Sequence, residues 1–134
     1  MKHQDLLALA RQARNQAYAP YSNFSVGAAL LTKDGRVFLG CNIENASFSP
    51  TCCAERVALF KAVSESFRKF SAIAIVGGKA EADALCFPCG VCRQALSEFC
   101  DNSLQVILED TEGAPIVLTL GDLLPKRFQL NKTE

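Results

Sequence analysis

Two short segments constrain this chain more than anything else in it: Cys53-Ala54-Glu55-Arg56 and Pro88-Cys89-Gly90-Val91-Cys92-Arg93-Gln94. Each places cysteine at the start of a helix-like stretch that follows a loop. The unpaired N–H groups and the positive dipole end of a helix favour thiolate over thiol. Seven cysteines are present: Cys41, Cys52, Cys53, Cys86, Cys89, Cys92 and Cys100. The number is odd, and Met1-Lys2-His3-Gln4-Asp5 leads into a mixed helix rather than a signal peptide. The expected compartment is therefore a reducing cytoplasm, where clustered cysteines serve metal binding or catalysis rather than disulfides.

Cys89 and Cys92 are three residues apart, share a helical face and can grip one ion. Cys53 supplies a third sulfur from another element. Three thiolates on Zn²⁺ leave one tetrahedral position open, as catalytic sites do. Such a set carries a net negative charge, and the positive groups at hand are two helix N-termini and Arg56. Glu55, two residues from Cys53, does not share its helix side. The ion is thus expected off the helix end, where both side chains reach it and the carboxylate acts as a general acid and base.

Other readings of the cysteines are weaker. Cys86, Cys89 and Cys92 resemble the opening of a ferredoxin cluster, but Leu96 stands where its next cysteine would be. A closed four-sulfur structural zinc site would use Cys52 or Cys86 as the fourth ligand. A thioredoxin-like pair leaves Cys53-Ala54-Glu55 unexplained. Cys41, Cys52, Cys86 and Cys100 read as small buried hydrophobes. His3, the only histidine, reads as part of a mobile terminus rather than a ligand.

Apolar residues make up 49% and charged residues 21%, enough for a packed core. Fourteen Lys+Arg balance fourteen Asp+Glu. That balance argues against nucleic acid or an anionic membrane surface as partner and favours a small ligand. No apolar run approaches the ~20 residues of a membrane span.

One domain over 1–134 is expected. Helical spacing covers residues 5–17, then strands run over 24–32 and 36–43 around Asp34-Gly35. A helix over 53–66 carries Val57, Phe60, Val63 and Phe67 on one face. Ala72–Val76 reads as a central strand. Pro88 opens a helix over 89–100 as its first residue. Strands over 104–108 and 116–120 and a short helix at 122–125 follow. The alternation implies an α/β layered domain whose first two strands are antiparallel.

The chain resembles the three-cysteine, homotetrameric type of cytidine deaminase, in the cytidine/deoxycytidylate deaminase superfamily. Zinc deaminases have a ligand-x-Glu element followed by Pro-Cys-x-x-Cys. The likeness extends to Tyr18-Ala19-Pro20-Tyr21-Ser22-x-Phe24, Val26-Gly27-Ala28-Ala29-Leu30, Gly40-Cys41-Asn42-Ile43-Glu44-Asn45-Ala46 and Leu123-Leu124-Pro125. It implies a three-layer α/β/α sandwich around a mixed sheet of about five strands. It also implies one Zn²⁺ per subunit on Cys53, Cys89 and Cys92, with Glu55 as proton shuttle. Phe24 would pack on the pyrimidine, Asn42 and Glu44 would hold the ribose hydroxyls, and the main chain near Ala54 would meet the base carbonyl. Arg56 would hydrogen-bond the zinc thiolates, and Phe128 would reach a neighbouring subunit's site. Two residues apart on a strand, Asn42 and Glu44 also share a face.

The implied reaction is hydrolysis of cytidine or deoxycytidine at C4, giving uridine or deoxyuridine and ammonia in pyrimidine salvage. Two positions depart from the family: Phe48 stands where Tyr is common, and Phe87 where Ser is common. Both bear on substrate fit. Antibiotic deaminases of the blasticidin type lack the Asn42/Glu44 pair, and polynucleotide deaminases usually carry His where Cys53 stands. A non-catalytic zinc module would have no use for Glu55.

Overall fold

The computed structural model describes residues 1–79 and 85–132. Its elements are α1 (His3–Arg14), β1 (Ser25–Thr32), β2 (Val37–Cys41), α2 (Ala54–Ser64), β3 (Phe70–Gly78), α3 (Gly90–Phe99), β4 (Gln105–Glu109), β5 (Pro115–Thr119) and α4 (Leu120–Leu123). The strands form one sheet in the order β2-β1-β3-β4-β5. β3 and β4 pair in parallel, and the other neighbours are antiparallel. The sheet is therefore mixed and five-stranded, as expected.

Helices cover both faces. The strands alternate, so Ile73 and Ile75 of β3 face one core while Ala72, Ala74 and Val76 face the other. The second face is floored by small residues, Ala29, Ala72 and Ala74, on which Leu6, Leu7 and Ala10 of α1 pack. On the first face Ala58, Leu59 and Ala62 of α2 and Leu96 of α3 meet Leu30, Ile73, Ile75, Val106 and Leu108. The result is the expected three-layer α/β/α arrangement.

Two glycines set how closely the helices approach. A Cβ on Gly27 would stand 2.9 Å from Arg14 Cα and nearer still to the Ala10 carbonyl. One on Gly40 would stand 2.5 Å from the Ala58 nitrogen and nearer still to the Ala54 carbonyl. The first turn of α2 thus lies directly on β2. Arg14 secures the opposite edge of the same region. Its guanidinium donates to Ser25 O at 2.9 Å and Gly78 O at 3.0 Å, tying the start of β1 to the end of β3.

Several sequence expectations shift. α1 stops at Arg14, with Asn15 as its C-cap, so Ala17 lies outside it. His3 is the first residue of α1 and its ring pairs with Gln105 at 3.3 Å, so it is not part of a loose end. β2 ends at Cys41, and Ile43 makes single bridges to Tyr18 and Cys52 instead. Pro88 is not the first residue of α3: Cys89 is the N-cap and Gly90 opens the helix. The buried face of α2 is Ala54, Glu55, Ala58, Leu59 and Ala62, and Phe60 is 51% exposed. Close approach to Gly40 requires Ala54 and Ala58 to turn inward, which leaves Phe60 outside while Val63 and Phe67 pack at the margin of the core. The connection expected over 79–87 has its residues 80–84 outside the described residues.

Gly40→Ala is expected to cost about 3 kcal/mol or more, because backbone cannot yield as a side chain does. Nothing lies within 4 Å of a Cβ placed on Gly90, so Gly90→Ala should leave metal-free stability unchanged or raise it by up to about 1 kcal/mol. Urea denaturation of both variants checks the contrast.

Candidate functional site

Cys53 and Cys89 are the N-cap residues of α2 and α3, both with extended backbone at ψ 155° and 169°. The first bonds inside the two helices run from Val57 N–H to Cys53 O (3.1 Å) and from Arg93 N–H to Cys89 O (2.9 Å). The N–H groups before these have no partner within the helix, so both helices present donors and positive dipole ends to the same place. Cys92, one turn into α3, is fully buried.

The sulfurs of Cys53, Cys89 and Cys92 lie within 4.8 Å of one another. Cys53 Sγ and Cys89 Sγ are 3.8 Å apart. Tetrahedral zinc with Zn–S bonds of about 2.3 Å needs sulfurs about 3.8 Å apart, so the donor set fits the ion in chemistry and in spacing. Among the described residues, no further Cys, His, Asp or Glu joins the cluster. Neither Cys52 nor Cys86 closes a four-sulfur site.

Electrostatics set Cys53 and Cys92 apart. The hydrogen bond with Cys92 comes first in drawing the Cys53 pKa down to about 5, with Arg56 and Cys89 adding to it against the cost of burial. Cys92 is pushed the other way, by the same hydrogen bond and by burial. Cys53 is thus the sulfur most readily deprotonated of the hydrogen-bonded pair, and metal binding favours the thiolate form. Arg56 Nη2 donates to Cys53 Sγ at 3.4 Å, and this contact holds the guanidinium charged more firmly than usual. Its Nε is buried and finds no hydrogen-bond partner among the described residues. A cation beside clustered sulfurs is the charge compensation that three thiolates demand.

A cavity of about 260 Å³ opens beside the sulfurs. Its lining includes Phe24, Asn42, Glu44, Ala54, Glu55 and Cys89, so widely separated segments of chain converge on one space. Glu55 is 4% exposed. Burial pushes its carboxyl up to about 7, its own backbone N–H opposes this, and the Cys53 charge adds to it. Asn42 and Glu44 lie just past β2. Asn42 is anchored to backbone, accepting from Val26 N–H at 2.8 Å and donating to Phe24 O at 2.7 Å. Glu44 accepts from Tyr21 N–H (2.9 Å), Ser22 N–H (3.1 Å) and the Ser22 hydroxyl. The hydroxyl bond is the main cause holding that half-buried carboxyl below its usual range.

Phe24 is half-buried and packs on the core that α2 covers. Phe128 does not line the cavity. It is 67% exposed, with its carbonyl accepting from Gln94 Nε2 at 3.1 Å. Sequence reasoning missed three parts of the wall. Ser22 orients Glu44, and its signal was its place beside Phe24 in the Tyr21-Ser22-x-Phe24 run. Gly77 leaves room for two neighbours: a Cβ there would stand 2.8 Å from Cys86 Sγ and 3.1 Å from Phe24 Cε1. Cys86 and Cys52 line the cavity rather than lying wholly in the core, although burial still pushes the Cys86 thiol up to about 12. Of the four cysteines expected to be buried, Cys100 alone is fully so.

The sequence model for the "Cytidine and deoxycytidylate deaminase zinc-binding region" matches residues 1–108. The chain belongs to this family. It is 48% identical to the cytidine deaminase of Sporosarcina psychrophila over 128 residues, covering 96% of this chain and 92% of that one. It is 50% identical to the cytidine deaminase of Halalkalibacterium halodurans over 128 residues, covering 96% and 95%. The crystal structure of cytidine deaminase from Burkholderia pseudomallei superposes with a TM-score of 0.88 at 49% identity, covering 96% of this chain and all of that one. As a zinc-binding deaminase domain, the chain has its candidate ligands in the Cys53, Cys89 and Cys92 cluster.

Replacing Cys53, Cys89 or Cys92 by Ser is expected to lower zinc affinity by more than the roughly 10–100-fold typical of lost outer partners. Cys41→Ser and Cys52→Ser should keep one zinc per chain. Elemental analysis after dialysis, with competition against a chromophoric chelator, checks both sets.

Proposed function

We propose that this chain is a cytidine deaminase that hydrolyses cytidine and deoxycytidine to the uracil nucleosides and ammonia. The observation that carries this reading is the buried Glu55 carboxyl. It shares one cavity with a three-sulfur cluster and with the hydrogen-bonding side chains of Asn42 and Glu44. Cys53, Cys89 and Cys92 would hold the zinc, which when bound supplies a Lewis acid that makes water nucleophilic near neutral pH.

The chain's own residues do the rest. Glu55 takes one proton from the attacking water and delivers it to N3 of the ring as C4 becomes tetrahedral, then takes the proton left on the C4 hydroxyl and passes it to the departing amine, ending as the carboxylate it began. Atoms balance as nucleoside plus water giving the 4-oxo nucleoside plus ammonia. Burial keeps bulk water from competing for these protons. Phe24 offers a ring face to the base, and the backbone N–H of Ala54, the first residue of α2, offers a donor to its carbonyl. Asn42 retains one free N–H and one free lone pair after its backbone bonds, enough for a sugar hydroxyl. Glu44, held by Ser22, accepts from another. A bond from Glu44 to the 3′-hydroxyl would not test the 2′ position, which is why both nucleosides are expected to react. Arg56 balances the thiolate charge.

The same reading takes 1–134 as one domain, since one sheet draws on residues from Ser25 to Thr119. It also takes the enzyme as a cytoplasmic homotetramer in pyrimidine salvage. Phe48 (84% exposed), Phe128 (67%), Val91 (61%) and Phe60 (51%) support assembly, because such side chains gain from cover. Phe128 would then complete a neighbour's site. A balanced charge gives no support for a nucleic-acid partner.

Turnover of cytidine followed in the ultraviolet is the direct test. The zinc-loaded chain should convert it, and Glu55→Gln should lose at least about 10²–10⁴-fold in kcat with zinc retained, as loss of a general acid–base does. A folded, zinc-loaded chain inert on cytidine and deoxycytidine would overturn the assignment. Phe128→Ala should raise KM several-fold while sedimentation still reports a tetramer. A monomeric, fully active enzyme would remove Phe128 from the site.

A further inference from the structure

We propose that Arg93 is a positioning residue that fixes the Cys89 arm of the metal site by tying the chain before it to the C-terminal segment. The inference rests on reading Cys53, Cys89 and Cys92 as the zinc ligands. Of these three, Cys89 has the least support. Cys92 is buried within α3, and Cys53 receives the Arg56 guanidinium. Cys89 is exposed and follows a stretch without regular structure. Among the described residues, Leu85 to Pro88 make no backbone hydrogen bonds to other backbone groups.

Arg93 supplies what the backbone there does not. Its Nε donates to Pro88 O at 2.7 Å, and its Nη1 donates to Leu123 O at 2.8 Å. The Pro88 carbonyl belongs to the peptide plane whose nitrogen is that of Cys89. Holding that oxygen sets the plane, and with it the direction of the Cys89 Cα–Cβ bond. The Leu123 carbonyl is at the C-terminal end of α4, where carbonyls lack helical partners. One planar fork therefore joins two carbonyls, one before the metal turn and one 35 residues later in sequence. Lysine cannot reproduce this, since its ammonium is a single point on a flexible stem. Both bonds are part-buried, so water competes poorly for the carbonyls.

The neighbouring contacts extend the tie along the same helix. Gln94 holds the Phe128 carbonyl, and Arg127 Nη1 donates to Cys100 O at 2.9 Å at the C-cap of α3. The C-terminal segment is thus laid along α3 from its metal end to its far end.

The test compares wild type with Arg93→Lys and Arg93→Gln. Readouts are zinc affinity by competition with a chromophoric chelator, the visible spectrum of the Co²⁺-substituted protein, and thermal melting with and without zinc. Both variants are expected to fold, to bind zinc about 10–100-fold more weakly, as metal sites do when an outer partner is lost, and to show an altered Co²⁺ ligand-field band. Wild-type affinity and spectrum in Arg93→Lys would assign the effect to charge alone and overturn the proposal. So would failure of both variants to fold even with saturating zinc, which would make Arg93 a residue of the general fold. A wild type that binds no zinc would overturn the ligand reading itself, separately from Arg93.

Discussion

Everything at this site depends on three sulfurs sharing one small volume without repelling each other apart. Two thiolates side by side already resist, and a third makes the group anionic even around a dication. The fold meets that constraint with geometry. α2 and α3 both begin at the same place, so their unpaired N–H groups and dipoles oppose the excess charge. Arg56 adds a full positive charge beside Cys53. The hydrogen bond with Cys92, and after it Arg56, draws the Cys53 pKa down, and the elevated one on Cys92 is the other side of the same sharing.

Helices can aim at a common point only if the layers beneath them allow it. Gly40 lets the first turn of α2 rest on β2, and any side chain there would meet backbone. Gly77 lets Cys86 and Phe24 close on the end of β3. α3, in the crossover between the parallel strands β3 and β4, packs on the same side of the sheet as α2. The cavity then falls where the end of β3 meets the start of β1, at strand ends rather than on a sheet face. That is where open α/β sheets commonly carry their ligands.

Legibility in the sequence followed the range of the interaction. The metal turns were readable because their residues lie within one helical turn, and spacing alone puts Cys89 and Cys92 on one side. Short apolar runs made the central strands plain, and β1 and β3 came within two residues of expectation. What could not be read were choices made by distant backbone. α2 has two apolar faces, and only the close approach at Gly40 decides that Ala58 and Ala62 go inward while Phe60 stays out. Pro88 looked like a first helical residue, yet the extended Cys89 takes the cap, which turns its sulfur toward Cys53 rather than along α3. Ser22, Gly77 and Arg93 escaped notice because each acts on an atom far from itself in the chain.

The two halves of the cavity are held in different ways, and the difference follows from what each must do. The sulfur side is built on helix starts: core packing places Cys92 and the first turn of α2, while the exposed Cys89 depends on the tie from Arg93 to the Pro88 carbonyl. The Asn42 and Glu44 side lies past the end of β2, where no ladder continues. Side chains replace the ladder there. Asn42 bridges Val26 and Phe24, and Glu44 gathers Tyr21 and Ser22. These bonds leave each group partly unsatisfied. On the proposed reading, that residual capacity is what a sugar uses. A fully satisfied Asn42 would be a better strut and a worse ligand for a hydroxyl. The exposed Phe48 lies on this less regular side, beside Tyr21, Ser22 and Glu44. On that reading, substrate fit can vary there without disturbing the sulfurs.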